Sequence, residues 1–315
     1  MTQVRKIKWL IAHEPVELFL RTAQAFAEEV RNSTDGAIDI EILTATEYAT
    51  KFNNGVKENP MVYMDRGELE MSQLHISQLW KYNAPAFMAL EMPFLFSDHD
   101  HATRVLEGNI GQDMLLNLKE KSPARGLAFT YSGGFRIVPS KQAVERLEDF
   151  YRMNIGCGNN PVAQDTFAAV GANPVPMYIE DLESYLQAGR VDGGETTYTR
   201  YFVLGHDKQT NYINDNEHSL FLTSLIINKQ AWQAMGERVQ GIFARAALRA
   251  AQIERDESLA DNVVIQQRAA EVGIPTVRMT AKEKARFVSA TEGLYTKFNT
   301  YFSPGLLSQL TQNRR

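Results

Sequence analysis

The 315-residue chain contains a single cysteine, Cys157, so no disulfide bond can form within it. It has no apolar stretch approaching the ~20 residues that a transmembrane helix requires. The formal net charge is -5 and no stripe of Lys and Arg stands out, which argues against a nucleic-acid-binding protein. The N-terminal stretch MTQVRKIKWLIAHEP lacks the apolar core of a signal peptide, so we expect either a cytoplasmic protein or one whose signal peptide has been removed.

Composition and periodicity predict an α/β protein. Hydrophobic residues make up 44% of the chain and charged residues 23%, as in soluble globular proteins, and the length predicts about two domains. Strand-like alternation at 38–42 follows a helix-like pattern at 15–32, and this order of strand and helix recurs along the chain. The stretch 231–270 has few helix breakers and predicts one long helix. There is no internal repeat and no low-complexity linker.

The glycines at 156 and 158 flank the cysteine at the end of a predicted strand. Gly156-x-Gly158 resembles the start of a dinucleotide-binding fingerprint, but Pro161 occupies the place of the third glycine. The phosphate cradle is therefore incomplete, and we predict no nucleotide site. Cys157 lies near a helix start that would favour a thiolate, but free cysteines are usually small buried hydrophobic residues, and we favour that interpretation.

No metal or enzyme motif is found in the chain. His99 and His101 are metal-ligating residue types, but no third ligand clusters with them, and two side chains at a helix start more often cap it and face solvent. The lysine loops of NTPases and the serine elbows of hydrolases are absent. We therefore predict a protein without catalytic residues, metal or cofactor, and not an enzyme.

Several separated stretches carry a resemblance to a known family. They are LEMPFLFSDHDHA (90–102), VGANPVPM (170–177), LQAGRVDGGE (186–195) and EHSLFLTSLIINKQAWQAM (217–235), and an N-terminal strand and helix with STDGAIDIEI also fits. In this order they resemble the solute-binding proteins of TRAP transporters, the DctP-like family. The resemblance extends over nearly the whole chain.

The resemblance implies an α/β, two-lobed periplasmic-binding-protein fold with crossover strands and a long helix spanning both lobes. We expect lobe I to comprise 1–133 with 222–261, and lobe II 134–221 with 262–315. The family binds a small-molecule solute in the cleft between its lobes, which close on it, and presents it to the TRAP membrane permease subunits. A periplasmic location, with the signal peptide removed, follows from the same resemblance.

The chain departs from the family at the residues that hold the ligand. The arginine that clamps the ligand's carboxylate falls on Gly156, and an asparagine anchor after the DGGE turn falls on Thr196. We therefore interpret Gly156 and Gly158 as a site emptied of its clamp, with room for ligand or water. Loss of an arginine removes a charge that would repel a cation, which favours a small amine or amino alcohol such as ethanolamine. Glu14 and Trp80 can then supply a counter-charge and a cation-facing ring, with help from Glu195.

Two other ligand classes stay open. A small organic acid can be held by Arg136 with His75 and Asn159, unless Arg136 pairs with a carboxylate of the protein itself, and the third class is a neutral polyol. Topology places His13 at the loop after the first strand, an equivalent position to that of His75. The predicted ligand-binding set is His13, Glu14, His75, Trp80, Arg136, Gly156, Asn159, Glu195, Thr196 and Tyr198.

Two other roles use the same fold. One is the ligand-sensing partner of a signalling receptor, and the other is an enzyme, for which Cys157 with His75 is the only candidate pair. Because fold does not fix function, both are retained behind the transport role.

Overall fold

A computed structural model describes residues 4–13, 17–83 and 85–312 of the chain. The strands are β1 (Arg5–Ile11), β2 (Ile38–Thr44), β3 (Met71–His75), β4 (Ala124–Phe135), β5 (Val138–Ser140), β6 (Asn154–Gly158), β7 (Asn173–Met177), β8 (Gly193–Gly194), β9 (Tyr212–Asn214), β10 (Leu220–Asn228) and β11 (Thr276–Val277). The helices are α1 (Glu17–Ser33), α2 (Ala45–Phe52), α3 (Pro60–Asp65), α4 (Ile76–Asn83), α5 (Pro85–Ala89), α6 (His99–Glu107), α7 (Asn109–Asn117), α8 (Pro161–Ala169), α9 (Leu182–Gln187), α10 (Tyr198–Tyr201), α11 (Lys229–Gln233), α12 (Glu237–Glu271), α13 (Ala281–Asn299) and α14 (Leu306–Thr311). Together they confirm the predicted α/β class.

The chain divides into two compact units. Unit 1 comprises Met1–Phe87, Thr103–Ser132 and Leu222–Glu257, and unit 2 comprises Met88–Ala102, Gly133–Phe221 and Ser258–Arg315. The segment Met88–Ala102, which we expected in lobe I, packs within unit 2. The reason is apolar packing together with a backbone hydrogen bond, since the Phe94 ring lies 5.0 Å from that of Phe287 and the Phe94 N–H donates to the His218 carbonyl at 2.7 Å.

Unit 1 is built on a five-stranded sheet with the order β2-β1-β3-β10-β4. β1 pairs in parallel with β2 and β3, and β10 pairs with β3 in antiparallel orientation. Its core is rich in aromatic contacts, with ring centroids 5.1 Å apart for Trp9 and Phe26 and 5.3 Å apart for Phe26 and Phe243. Since Phe26 is fully buried, these contacts bind α1 and α12 to the same core.

Unit 2 is built on a six-stranded sheet with the order β11-β9-β5-β8-β6-β7. β6 pairs in parallel with β7 and β8, and α8 follows β6 directly. On one face lies a cluster in which the Phe150 ring is 6.1 Å from that of Phe167 and 5.5 Å from that of Phe287. Because β6 has parallel neighbours, its carboxyl end at Gly158 is the edge where open α/β sheets commonly bind ligands.

The long helix starts later than the sequence suggested. The predicted helix 231–270 is divided into α11 and the 35-residue α12, and Gly236 lies in the break between them. Residues 237–257 of α12 belong to unit 1 and residues 258–271 to unit 2, so the helix contributes to both, as predicted. Within the described ranges, no helix combines the length and apolarity that crossing a membrane would demand.

A capping box fixes the start of α2, and its removal is expected to destabilise the protein. Thr44 Oγ1 accepts from the Glu47 N–H at 3.1 Å, and Glu47 Oε2 accepts from the Thr44 N–H at 2.8 Å. We expect Thr44→Ala to lower the free energy of unfolding by about 1 kcal/mol. Urea denaturation checks this value. Thr50→Ala, on the exposed face of the same helix, serves as the control, and an equal loss in both variants would contradict the capping role.

Candidate functional site

A buried arginine lies at the centre of a charged cluster in unit 2. Arg136, between β4 and β5, is only 3% exposed. Its Nη1 donates to Glu91 Oε2 at 3.1 Å and to Ser219 Oγ at 2.9 Å, and its Nε lies 3.7 Å from Glu195 Oε2. The guanidinium is thus bound to two carboxylates of the protein itself, which is the structural alternative that the sequence left open.

The backbone brings Arg136 and Glu195 together. Their chain neighbours Ile137 and Thr196 exchange backbone hydrogen bonds, both at 2.9 Å, in an antiparallel bridge. Glu195 Oε1 accepts from the Gly158 N–H at 2.6 Å, so the carboxylate also closes the end of β6. His218 Nε2 donates to Glu195 Oε2 at 3.0 Å. Every carboxylate oxygen of Glu195 therefore has a protein donor.

The pKa values of the two carboxyl groups are shifted in opposite directions. Burial alone would raise the pKa of Glu195, but the charge of Arg136 and the hydrogen bonds from His218 and Gly158 outweigh it and lower the pKa to about 2. For Glu91 burial prevails, and its pKa is raised despite Arg136. Burial lowers the pKa of His218, which favours the neutral ring. Glu195 is consequently an ionised carboxylate at neutral pH.

The space beside Gly156 is filled, which corrects the prediction of an emptied clamp site. A Cβ atom built on Gly156 would stand 2.8 Å from Met177 Sδ and 3.2 Å from Leu182 Cδ1. Both side chains belong to a small apolar cluster on β7 and α9. A Cβ atom at position 156 would therefore require the ends of the Met177 and Leu182 side chains to shift, so the space directly beside the glycine is occupied by apolar atoms and is not left open for ligand or water.

The other predicted residues of unit 2 have mixed environments. Asn159 is exposed, directly after β6. Thr196 is fully buried, and its Oγ1 has no hydrogen-bond partner among the residues that the structure describes. The hydroxyl group of Tyr198 donates to Asp215 Oδ2 at 3.0 Å. Burial and the charge of Asp215 raise the pKa of Tyr198, so the hydroxyl stays a donor.

The remaining predicted residues lie in unit 1. His13 is half-buried after β1, with its ring 5.2 Å from that of Phe19. His75 ends β3 and is buried, with Nδ1 2.5 Å from Ser77 Oγ. Trp80 is half-buried on α4, and its indole N–H makes no hydrogen bond within the described ranges. Glu14 lies outside the described residues. The roles of these four residues in binding stay predictions.

Sequence reasoning missed several residues of the cluster. Glu91 lies in the stretch LEMPF, which indicated the family but not a role for this residue. Its partner Arg136 is 45 residues away in the sequence. His218 and Met177 lie in stretches that carry the family resemblance, and their sequence neighbours give no sign of their contacts. For Asn160 a local signal existed, because Pro161 follows it at the first position of α8, where an N-cap residue is expected to precede.

Cys157 has the environment of a structural residue. It is 2% exposed within the apolar cluster on β6, α8 and α13, and burial raises its pKa above the usual range. A thiol in such surroundings is not a ready nucleophile. Within the described ranges, no group of three or more His, Cys, Asp or Glu side chains is arranged to hold a metal ion.

Comparison with known proteins gives one family and many structural neighbours. The family model described as bacterial extracellular solute-binding protein, family 7 (DctP) matches residues 12–300. A solute-binding protein of Roseobacter denitrificans is 28% identical over 246 residues, which are 76% of this chain and 72% of the relative.

Two solved structures show the same fold. A TRAP periplasmic solute-binding protein from Ochrobactrum anthropi, with its C-terminus bound in the ligand-binding pocket, has a TM-score of 0.87 and 23% identity, covering 98% of this chain and 94% of that one. A TRAP periplasmic solute-binding protein from Polaromonas sp. JS666, bound to D-erythronate, has a TM-score of 0.85 and 22% identity, covering 98% of both chains.

Restoring an arginine at position 156 is expected to disturb the packing of unit 2. Because Met177 and Leu182 occupy its space, we expect Gly156→Arg to lower the free energy of unfolding by about 2 kcal/mol. Met177→Ala in the same chain should recover part of this loss by vacating the space. Gly293→Arg, at a helical position with nothing within 4 Å of the built Cβ, is the control. Thermal and urea unfolding measure the differences, and a neutral Gly156→Arg variant would contradict the filled space.

Acid should remove the contribution of Glu195 to stability. Its folded-state pKa, about 2, lies below the ordinary glutamate value of 4.5, so the contribution is complete above the ordinary value and disappears as the pH falls towards 2. The contribution of Glu91 to stability depends on pH in the opposite sense, because the pKa of Glu91 is raised. Comparing the protein with its Glu195→Gln variant isolates the first effect.

We expect the stability difference between the protein and Glu195→Gln to shrink by about 2–3 kcal/mol between pH 5.5 and pH 2.5. Urea denaturation across this range measures it. Glu292→Gln, which removes an exposed acid on α13, should show no such trend. A difference that does not vary with pH would show that Glu195 is not held as a carboxylate.

Proposed function

Because the chain belongs to the DctP family of bacterial extracellular solute-binding proteins, family 7, we propose that it is the receptor of a TRAP-type transporter and binds a small amine or amino alcohol such as ethanolamine. It would work in the periplasm and deliver the solute to the permease subunits. The family is a transport family, and Cys157, the one nucleophile that the enzyme alternative required, is buried in an apolar cluster. The fold of the solved neighbours supports the same assignment.

The pairing of Arg136 with carboxylates of the protein is the observation that supports an amine as the ligand. A ligand carboxylate bound by Arg136 would have to compete with Glu91 and Glu195, which already contact the guanidinium. Truncating or diverting one partner of such a buried pair is costly, because a charge is left without compensation. Glu195 itself is ionised and suits a ligand ammonium group. The cluster therefore favours a cation over an anion.

The proposal also assigns the ligand ammonium group to Glu14 and Trp80, which were predicted from the sequence. Glu14 lies outside the described residues. Trp80 offers an indole ring that is half-buried, and aromatic faces attract ammonium groups within about 6 Å of the ring centroid. Trp80→Leu is therefore expected to weaken amine binding more than the binding of a neutral solute.

A small organic acid is the second candidate, and one observation favours it. Arg200 on α10 is 1% exposed, and its guanidinium carbon lies 4.2 Å from the centroid of the Phe221 ring. Arg136 faces the same ring at 4.9 Å. A carboxylate brought to this ring would meet two guanidinium groups. The Polaromonas protein, which is bound to D-erythronate, has the same fold.

Three solutes of equal size and different charge separate the candidates. Ethanolamine is a cation, ethylene glycol is neutral and glycolate is an anion, and all three have two carbons and a hydroxyl. We expect ethanolamine alone to raise the melting temperature, since a ligand at ~1000 times its dissociation constant stabilises the folded state by about 4 kcal/mol. Calorimetric titration then gives the dissociation constant.

Variants test whether the cluster around Arg136 and Glu195 determines the charge of the preferred ligand. Glu195→Gln should weaken ethanolamine binding about tenfold or more, because an ion pair is lost, whereas Glu292→Gln should leave it unchanged. Binding of glycolate without ethanolamine would overturn the amine, and its loss in Arg200→Met would then support the acid.

A further inference from the structure

Two polar atoms of unit 2 lie close to the backbone where Gly158 lacks a side chain. Gly158 is half-buried at the carboxyl end of β6. A Cβ atom built on it would stand 3.1 Å from Asn160 Nδ2 and 3.2 Å from Glu195 Oε1. We call the polar surface that these two atoms form beside Gly158 the Gly158 notch. Unlike the neighbours of Gly156, its two nearest atoms are a hydrogen-bond donor and a carboxylate oxygen, and the apolar Ala163 Cβ lies farther away at 3.7 Å.

The capping role of Asn160 fixes which of its atoms faces the notch. Asn160 is the N-cap of α8, and its Oδ1 accepts from the Ala163 N–H at 2.9 Å. Because the helix requires the oxygen on that side, the amide cannot be turned around, and Nδ2 must point towards the Gly158 notch. The side chain is 2% exposed, and in the described part of the chain its Nδ2 has no hydrogen-bond partner. A buried donor without an acceptor is costly, and an acceptor oxygen brought to Nδ2 would remove that cost.

Glu195 supplies the acceptor on the other side. Its Oε1 accepts from the Gly158 N–H at 2.6 Å, which uses one of the lone pairs of that oxygen. Its Oε2 faces His218 and Arg136. Oε1 can therefore accept a second hydrogen bond from a group placed in the notch, and the carboxylate is negative at neutral pH.

We propose that the Gly158 notch recognises the hydroxyl group of an amino alcohol beside its ammonium group, an inference that rests on the proposed function. The ligand ammonium donates to Glu195 Oε1, and the ligand hydroxyl oxygen accepts from Asn160 Nδ2. Both protein atoms lie beside Gly158, so a solute with its nitrogen and oxygen on adjacent carbons has the size to contact both. Asn160 thereby determines the preference for a hydroxylated amine over a simple one.

The test compares ethanolamine with ethylamine, which keeps the ammonium group and the two carbons but lacks the hydroxyl. We expect the protein to prefer ethanolamine by about tenfold, the value of one hydrogen bond from a buried donor. In Asn160→Ser the shorter hydroxyl retains the capping acceptor and removes Nδ2. The preference should then fall to within about twofold, through loss of ethanolamine affinity rather than a gain for ethylamine.

A second variant blocks the notch itself. Gly158→Ala places a methyl group between Asn160 and Glu195, and we expect ethanolamine affinity to fall about tenfold or more. Gly293→Ala, where a Cβ meets nothing within 4 Å, is the matched control and should bind as the parent protein does. Melting temperatures and circular dichroism verify that each variant is folded.

The outcomes separate this inference from the proposed function. Equal affinities of the parent protein for ethanolamine and ethylamine would overturn the proposal that the Gly158 notch recognises the hydroxyl group. The proposed function of binding an amine would still stand. A preference unchanged in Asn160→Ser would overturn the role of Nδ2. Binding of neither amine would overturn both proposals. Binding of ethanolamine with a hydroxyl preference that Asn160→Ser removes would support both.

Discussion

The need to neutralise one buried arginine governs unit 2. Arg136 is almost fully buried, and removing a guanidinium from water costs several kcal/mol unless partners surround it. Glu91, Glu195 and Ser219 meet that need from three separate parts of the sequence. Because these partners must converge on one group, the segment around Glu91, the bridge at Thr196 and the start of β10 are held in one arrangement. The candidate site takes its geometry from this pairing.

The pairing of Arg136 with Glu91 and Glu195 also determines the net charge of the candidate site. Two carboxylates share one guanidinium, and the ring of His218 is kept neutral by burial, so this cluster has no surplus positive charge. The position where the family carries a clamping arginine is a glycine backed by Met177 and Leu182. Position 156 therefore carries no cationic side chain, and the charge of Arg136 is compensated within the protein. What remains beside Gly158 is an ionised carboxylate and an amide donor.

The fold was largely readable from the sequence, because its elements follow from local periodicity. The alternating residues of β2, the Asn-Pro start of α8 and the long breaker-free stretch of α12 each predict their own element. The break at Gly236 was missed, since the helical pattern continues across it. The placement of Met88–Ala102 in unit 2 was also missed, because it depends on contacts such as that of Phe94 with Phe287.

The site was less predictable than the fold. The absence of the arginine at Gly156 was visible in the sequence, but that Met177 fills the space was not, because only the packing of β7 beside β6 brings them together. The neutralisation of Arg136 depends on partners 45 and 83 residues away. Asn160 was identifiable as a cap, while the direction of its free amide nitrogen follows from the cap geometry and the bend of the chain after β6.

The division of the chain into units bears on how the protein can be made. Each unit is assembled from three separate segments, and the last segment of unit 1 ends at Glu257. A nascent chain therefore cannot complete unit 1 until Glu257 has been synthesised, since strand β10 and helix α12 supply part of the sheet and core. Neither unit is a contiguous fragment that can be excised by a single cut. Folding of unit 1 consequently requires the chain through Glu257, so residues 4–87 cannot complete their sheet while they are the only part synthesised.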